Sequence, residues 1–290
     1  MANNAIGSML CPHCGKLISK NAETCIHCGK RNPKTMTSVP FLQRLLSGKV
    51  SYVQGIIMAC ITLYILSLLI DLLTGNLRFM QGGGFLNLLS PSNYSHSLFG
   101  WSGAIPVVHQ GKWWSIFTAI YLHGSLLHIL FNMLWVNQLG PVTEELYGSA
   151  RFFAIYTIAG AFGFIASTYA YVLMHPNDPM MYGNYQHVTL GASGAIFGLF
   201  GAIVYYGRNR GGYFGDAIYR QTAQWAAVLF IFGFLFPGID NFAHGGGFIG
   251  GYLASQMLGY QEKTRENLHH RWIAMACLGM TVLAFLLNFI

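Results

Sequence analysis

The sequence predicts an all-α polytopic membrane protein, and three observations lead to that reading. Of 290 residues, 53% are hydrophobic and only 9% are charged, whereas about a quarter of an ordinary soluble domain is charged. The apolar residues fall into seven runs, each near the roughly 17–25 residues that a helix needs to cross a bilayer. Lysine and arginine, finally, collect in alternate loops between those runs.

The chain opens on a polar, basic stretch of fifty residues that is distinct from everything after it. Its first apolar run lies too far in to be a cleavable secretory segment, so the amino terminus is expected to stay in the cytoplasm. Residues 1–36 carry Cys11-Pro12-His13-Cys14-Gly15-Lys16 and Cys25-Ile26-His27-Cys28-Gly29-Lys30, two copies of one knuckle. Four thiolates at this spacing suit tetrahedral zinc, with Cys11, Cys14, Cys25 and Cys28 as ligands and both histidines facing solvent. A redox pair would normally sit beside a βαβ pattern, which is missing, and a disulfide framework suits a reducing cytosol poorly. With so few apolar residues, this zinc-ribbon-like module needs its structural metal to fold. A docking role toward a cytoplasmic partner is one reading of its purpose. A basic linker, 37–50, follows.

From residue 51 to 290 the expected spans are 51–73, 124–141, 152–174, 191–207, 222–237, 241–259 and 272–290. The fifth and sixth are separated only by Pro237-Gly238-Ile239-Asp240, a chain-reversing breaker. With the amino terminus inside, fourteen of the sixteen Lys and Arg residues are cytoplasmic, and only Arg78 and Lys112 fall outside. Topology thus accounts for the net charge of +7, and no nucleic-acid partner is needed to explain it. Cys60 and Cys277 lie within spans and read as small packing residues.

Ionisable groups inside such spans are costly and mark functional sites by default. Ser193, in Gly191-Ala192-Ser193-Gly194-Ala195-Ile196-Phe197-Gly198, heads the fourth span; His244, in Ala243-His244-Gly245-Gly246-Gly247, heads the sixth. Both spans run inward from the outer face, so the serine and the imidazole share one depth. Gly191, Gly194, Gly198 and Gly201 on one helix, and Gly247 and Gly251 on the other, are the small residues that let membrane helices approach closely. A neutral serine needs a base, and His244 is the natural one. Asp240 reads better as a helix cap than as a third catalytic member, so a Ser-His dyad is expected. Acyl transfer also needs donors for an oxyanion. The Ser193 amide at its helix N-terminus supplies one, and His128 and Asn132, at i and i+4 on the second span, supply two more.

These residues resemble the rhomboid family of intramembrane serine proteases. The likeness rests on GASGAIFG around Ser193, on His128-x-x-x-Asn132, on Ala243-His244-Gly-Gly-Gly with its G-x-x-x-G, and on Glu144-x-x-x-Gly148-x-x-Arg151-Phe152. It covers residues 51–290. It implies a six-helix rhomboid core plus one C-terminal transmembrane helix, with the segment 74–123 as a first loop lying partly in the outer leaflet. It further implies Ser193 as nucleophile, His244 as general base and acid, and an oxyanion hole of His128, Asn132 and the Ser193 amide. Gly191 would keep that hole open, Phe197 would lie against the histidine, and His123 would support the site with a hydrogen bond. Glu144 and Arg151 would brace a cytoplasmic loop. One departure stands out: the family's usual Trp-Arg in the first loop is replaced by Trp113-Trp114-Ser115, which leaves the anchoring of that loop without its arginine.

The expected function is therefore hydrolysis of peptide bonds in or beside transmembrane helices of membrane proteins. The setting is a cell membrane, with lipid as surroundings, the active site toward the outer face and no cofactor for catalysis. Two other classes would leave different marks on the sequence. A rhomboid-like protein that binds membrane helices without cutting them would lack the serine or the histidine. A small transporter would carry intramembrane carboxylates or inverted repeats, and the sequence shows neither.

Overall fold

A computed structural model describes residues 8–10, 17–19, 22–29, 51–80, 84–175, 187–236 and 238–290. The chain divides into two compact units, Met1–Val50 and Ser51–Ile290.

In the first unit, β1 (Ser8–Leu10) pairs antiparallel with β2 (Leu17–Ser19), Met9 standing opposite Ile18. Ile18 and Cys25 are buried together, with Ala22 and Cys28 packed beside them. The Gly29 amide bonds the Cys25 carbonyl at 2.8 Å, and Gly29 has a φ of +70°. That backbone is the tight left-handed turn for which a glycine after the second cysteine is suited. Cys11 and Cys14 lie outside the described residues.

The second unit holds, among the described residues, seven helices of eighteen residues or more. These are α1 (Tyr52–Leu73), α4 (Leu126–Tyr147), α5 (Ser149–Met174), α6 (Ser193–Arg210), α7 (Gly212–Gly233), α8 (Asn241–Leu258) and α9 (Leu268–Leu287). Two short helices, α2 (Asn93–Phe99) and α3 (Ser115–Thr118), lie between α1 and α4. So does a hairpin of β3 (Arg78–Met80) and β4 (Leu88–Ser90). Helices α1, α5 and α9 are long and apolar enough to cross a membrane on their own. The segments Ser115–Tyr121 and Leu126–Tyr147 meet at 92° and, taken together, add a fourth. The remaining long helices are diluted by glycine and by polar ends.

Two expected boundaries shift by more than four residues. The fifth run was expected from 222, yet α7 begins at Gly212, and α4 runs six residues past 141. Apolarity alone misses both extensions. The first turns of α7 are polar but pack through Gly215, whose added Cβ would lie 2.6 Å from the Gly207 carbonyl oxygen. Arg210 also lies over the Phe214 ring at 4.8 Å.

Helices α5, α6 and α8 form the centre, and their packing is backbone to backbone. A Cβ on Gly247 would fall 2.0 Å from the Gly194 oxygen, and one on Gly251 2.0 Å from the Gly198 oxygen. The G-x-x-x-G register of α8 therefore meets the Gly194–Gly198 face of α6 as the spacing predicts. Helix α5 closes the third side: a Cβ on Gly246 would strike the Ala166 Cβ at 2.4 Å, and one on Gly163 the Ala243 oxygen at 2.7 Å. Contrary to the expectation that the spans hold no carboxylate, the first one contains Asp71, which is fully buried in α1 and ties down the long segment that follows. Its carboxylate accepts from the Ser92 amide (2.6 Å), the Ser92 hydroxyl (2.5 Å) and the Ser95 hydroxyl (3.1 Å), so the buried charge is fully hydrogen-bonded.

Candidate functional site

The polar side chains singled out in the sequence gather at the N-terminal ends of α4, α6 and α8. Ser193 is the first residue of α6 and is half-buried. Just before it, Gly191 donates its amide to the Ala119 carbonyl at 2.9 Å and takes a φ of +129°. The first bond of α6 runs from the Ile196 amide to the Ala192 carbonyl. The amides of Ser193, Gly194 and Ala195 thus have no partner within the helix and present the positive end of its dipole.

His244, in the first turn of α8, is buried and lies flat on Phe197, with ring centroids 4.2 Å apart and planes 17° from parallel. Phe197 is one helical turn after Ser193 on α6. The contact that brings the two helix heads together is again through glycine, since a Cβ on Gly194 would sit 3.3 Å from the Ala243 oxygen. The serine and the histidine therefore flank a point where two backbones touch.

The third contributor is the start of α4, capped by the Ser125 hydroxyl, which accepts from the His128 amide at 3.3 Å. His128 Nδ1 accepts from the Gly124 amide at 3.2 Å; in the neutral ring this assigns the hydrogen to Nε2. That nitrogen faces Gly191 so closely that a Cβ there would lie 2.7 Å from it. Asn132, one turn on and buried, donates from Nδ2 to the His128 carbonyl at 2.8 Å, which leaves its second amide hydrogen available. His123 is buried, and its ring meets His128 edge-on at 5.2 Å. Its backbone carbonyl lies 3.3 Å from His96 Nε2, and neither of its ring nitrogens has a hydrogen-bond partner among the described residues.

Asp240 caps α8, accepting from the Ala243 amide at 2.9 Å. Its other oxygen accepts from the hydroxyls of Ser167 and of Thr189, the latter at 2.9 Å. Both oxygens are thus committed to α5, to the approach to α6 and to the head of α8. Among the described residues no carboxylate is hydrogen-bonded to the His244 ring.

The network extends to a residue that sequence reasoning missed. His187 Nδ1 accepts from the Ala104 amide at 3.2 Å, its Nε2 lies 3.3 Å from the Ser167 hydroxyl, and its ring stacks on Tyr171 at 4.3 Å. An antiparallel bridge between Ser102 and Thr189 runs beside it. No local pattern marks a lone histidine between spans, so the only available signal is its place just before the Gly191 segment.

At the other ends of the helices, Glu144 accepts from the Ser51 hydroxyl at 2.7 Å. The buried Arg151 guanidinium donates to the carbonyls of Tyr147, Leu258 (3.2 Å) and Gly259 (3.0 Å). The arginine braces the end of α8 through carbonyl oxygens, not through an ion pair with Glu144.

Fold and site together define a polytopic helical membrane protein whose polar groups meet where three helices begin. The rhomboid domain family matches residues 110–261, more than half of the chain, and the chain belongs to the rhomboid family. A zinc-ribbon domain matches residues 10–32. Among relatives, the chain is 37% identical to the rhomboid protease GluP of Bacillus subtilis over 153 residues, 53% of this chain and 27% of that protein. It is 33% identical to YdcA of Bacillus subtilis, named for a rhomboid protease, over 55% of this chain and 73% of the relative. It is 31% identical to RHOMBOID-like protein 1 of Arabidopsis thaliana, over 57% of this chain and 40% of that one. The matched stretch is therefore about a quarter of GluP and two-fifths of the plant protein, but most of YdcA.

Proposed function

We propose that the protein is an intramembrane serine endopeptidase that cuts peptide bonds in or next to transmembrane helices of membrane-protein substrates. The observation that supports this most is the stacking of His244 on Phe197 beside the Gly194–Ala243 backbone contact, which holds an imidazole next to the head of the Ser193 helix.

In this reading Ser193 Oγ attacks the carbonyl carbon of the scissile bond while His244 takes the hydroxyl proton. The oxyanion that forms is met by the Ser193 amide, His128 Nε2–H and the second amide hydrogen of Asn132. Collapse breaks the C–N bond, and His244 returns the proton to the leaving amine. Water then attacks the acyl-serine, with His244 again as base, and frees the acid. The stacked phenylalanine orients the ring, in place of the carboxylate of a triad. A helical substrate must unwind locally, because its carbonyls are already hydrogen-bonded.

The same reading makes the seven long helices the membrane-spanning segments, with the N-terminal module in the cytoplasm and the dyad below the outer headgroups of a cell membrane. Cys11, Cys14, Cys25 and Cys28 would hold a structural zinc ion. The buried Cys25 and the left-handed turn at Gly29 have the form a zinc knuckle needs. The test is labelling by a fluorophosphonate together with cleavage of a single-span protein in vesicles. Both are expected in the wild type and absent in Ser193→Ala and His244→Ala. Labelling that persists in both variants removes the dyad, and binding without cleavage makes the protein a helix binder.

A further inference from the structure

The helix α9 lies beyond the stretch that matches the rhomboid domain, yet its end reaches into the segment that carries the site. Asn288, which closes α9, accepts from the Trp114 indole N–H at 2.9 Å and donates from Nδ2 to the Phe99 carbonyl at 3.1 Å. An indole only donates and a carbonyl only accepts, so one orientation of the amide satisfies both partners. Gly100, with a φ of +87°, makes room for it: a Cβ there would fall 2.0 Å from Asn288 Nδ2. Phe289 adds an edge-on contact with Phe99 at 6.2 Å.

We infer that Asn288 is a positioning residue for the oxyanion pocket, acting through the first-loop segment that it clamps; the inference rests on the protease reading above. Trp114 leads directly into α3, where Thr118 Oγ1 donates to the Gly100 carbonyl at 2.5 Å. The next residue, Ala119, accepts the Gly191 amide at 2.9 Å. Gly191 in turn is the residue whose missing side chain admits His128 Nε2. An unbroken path of short contacts therefore runs from the end of α9 to the oxyanion donors. It adds to the hold on the first loop at Ser115, whose hydroxyl donates to that of Ser102 at 3.4 Å.

The test compares wild type, Asn288→Leu, Trp114→Phe, the double variant and Ser193→Ala on a single-span substrate in vesicles. Hydrogen exchange of residues 94–121 and melting temperature are read on the same samples. Each single change is expected to lower kcat about three- to tenfold, the effect of one lost hydrogen bond felt at the reacting centre, with KM within about twofold. The double variant should be no slower than the slower single one, and exchange at 94–121 should rise. Unchanged kcat in both single variants, losses that multiply, or a kcat that falls only with the fraction of folded protein would each overturn the inference. Should wild type cleave no better than Ser193→Ala, the protease reading fails instead. Exchange then decides the clamp alone: unchanged protection at 94–121 in Asn288→Leu removes it.

Discussion

The His244 ring lies 4.2 Å from the Phe197 ring and nearly parallel to it, so the imidazole at the head of α8 is held by the flat face of an aromatic on α6. This is how a buried histidine without a carboxylate partner keeps one orientation. Offset stacking of this kind contributes roughly 0.5–1.5 kcal/mol beyond burial. Replacing Phe197 with leucine should therefore lower kcat by up to about tenfold with little change in KM. Phe200→Leu is the control. That ring is also buried and tilts against Trp135 at 5.4 Å and against Phe197 at 5.9 Å, but it does not stack on the imidazole, so its loss should lower the melting temperature with a smaller fall in kcat. Equal effects of the two on kcat would mean that the stack is packing only.

Two glycines separate the chemistry of the site from the architecture beneath it. At Gly191 an added Cβ meets His128 Nε2 at 2.7 Å on a φ of +129°. Gly191→Ala should push the oxyanion donor aside and cost about 10²–10³ in kcat. At Gly251 the same methyl meets the Gly198 carbonyl at 2.0 Å, in the middle of the α6–α8 contact. Gly251→Ala should act on stability, by about 1–3 kcal/mol or more, read as a lower melting temperature in detergent. A Gly251→Ala protein of wild-type stability would contradict the backbone contact.

What could be read in advance, and what could not, follows from range. The α6–α8 contact was legible because small residues at four-residue spacing repeat along both helices, and the seven long helices because each carries its own apolar run. The part of α5 was not, since Ala159, Gly163 and Ala166 are scattered among aromatic residues and meet their partners only once three helices are in place. The polar start of α7 hid only its first turns, residues 212–221, which packing and not apolarity makes helical. Asp240 was legible as a cap, but its bonds to Ser167 and Thr189 span 73 and 51 residues. The Trp114–Asn288 bond spans 174, and no local pattern encodes a pair at that distance.

Asp240 offers a sharp distinction between a cap and a catalytic acid. Its carboxylate receives the Ala243 amide and two hydroxyls, none of them from the His244 ring. Asp240→Ala should cost about 2–3 kcal/mol through the lost cap and the stranded partners, seen as a lower melting temperature. The kcat of the protein that remains folded should fall less than about tenfold. A loss near 10⁴, the scale on which a serine-protease triad depends on its acid, would make Asp240 a third member of the site.

His187 sets an acid limit on the same assembly. Its Nδ1 accepts the Ala104 amide, so the ring is neutral there, and its Nε2 hydrogen points to Ser167, which hands its own hydrogen to Asp240. Burial lowers its pKa from the ordinary 6.5; Asp240 pulls the other way, and His175, which like His187 stacks on Tyr171, adds to the lowering. Because the folded-state value is the depressed one, the stabilisation is fully present above about pH 6.5 and is lost as pH falls through the folded value. Protonation would set an N–H against the Ala104 amide and release residues 102–104 from 187–189. His187→Phe keeps the stacking on Tyr171 but cannot titrate. Its melting temperature should start lower than wild type near pH 7.5 and fall less between about pH 7.5 and 5.5. If the two proteins lose stability in parallel over that interval, His187 is not the group whose protonation loosens the Gly191 approach.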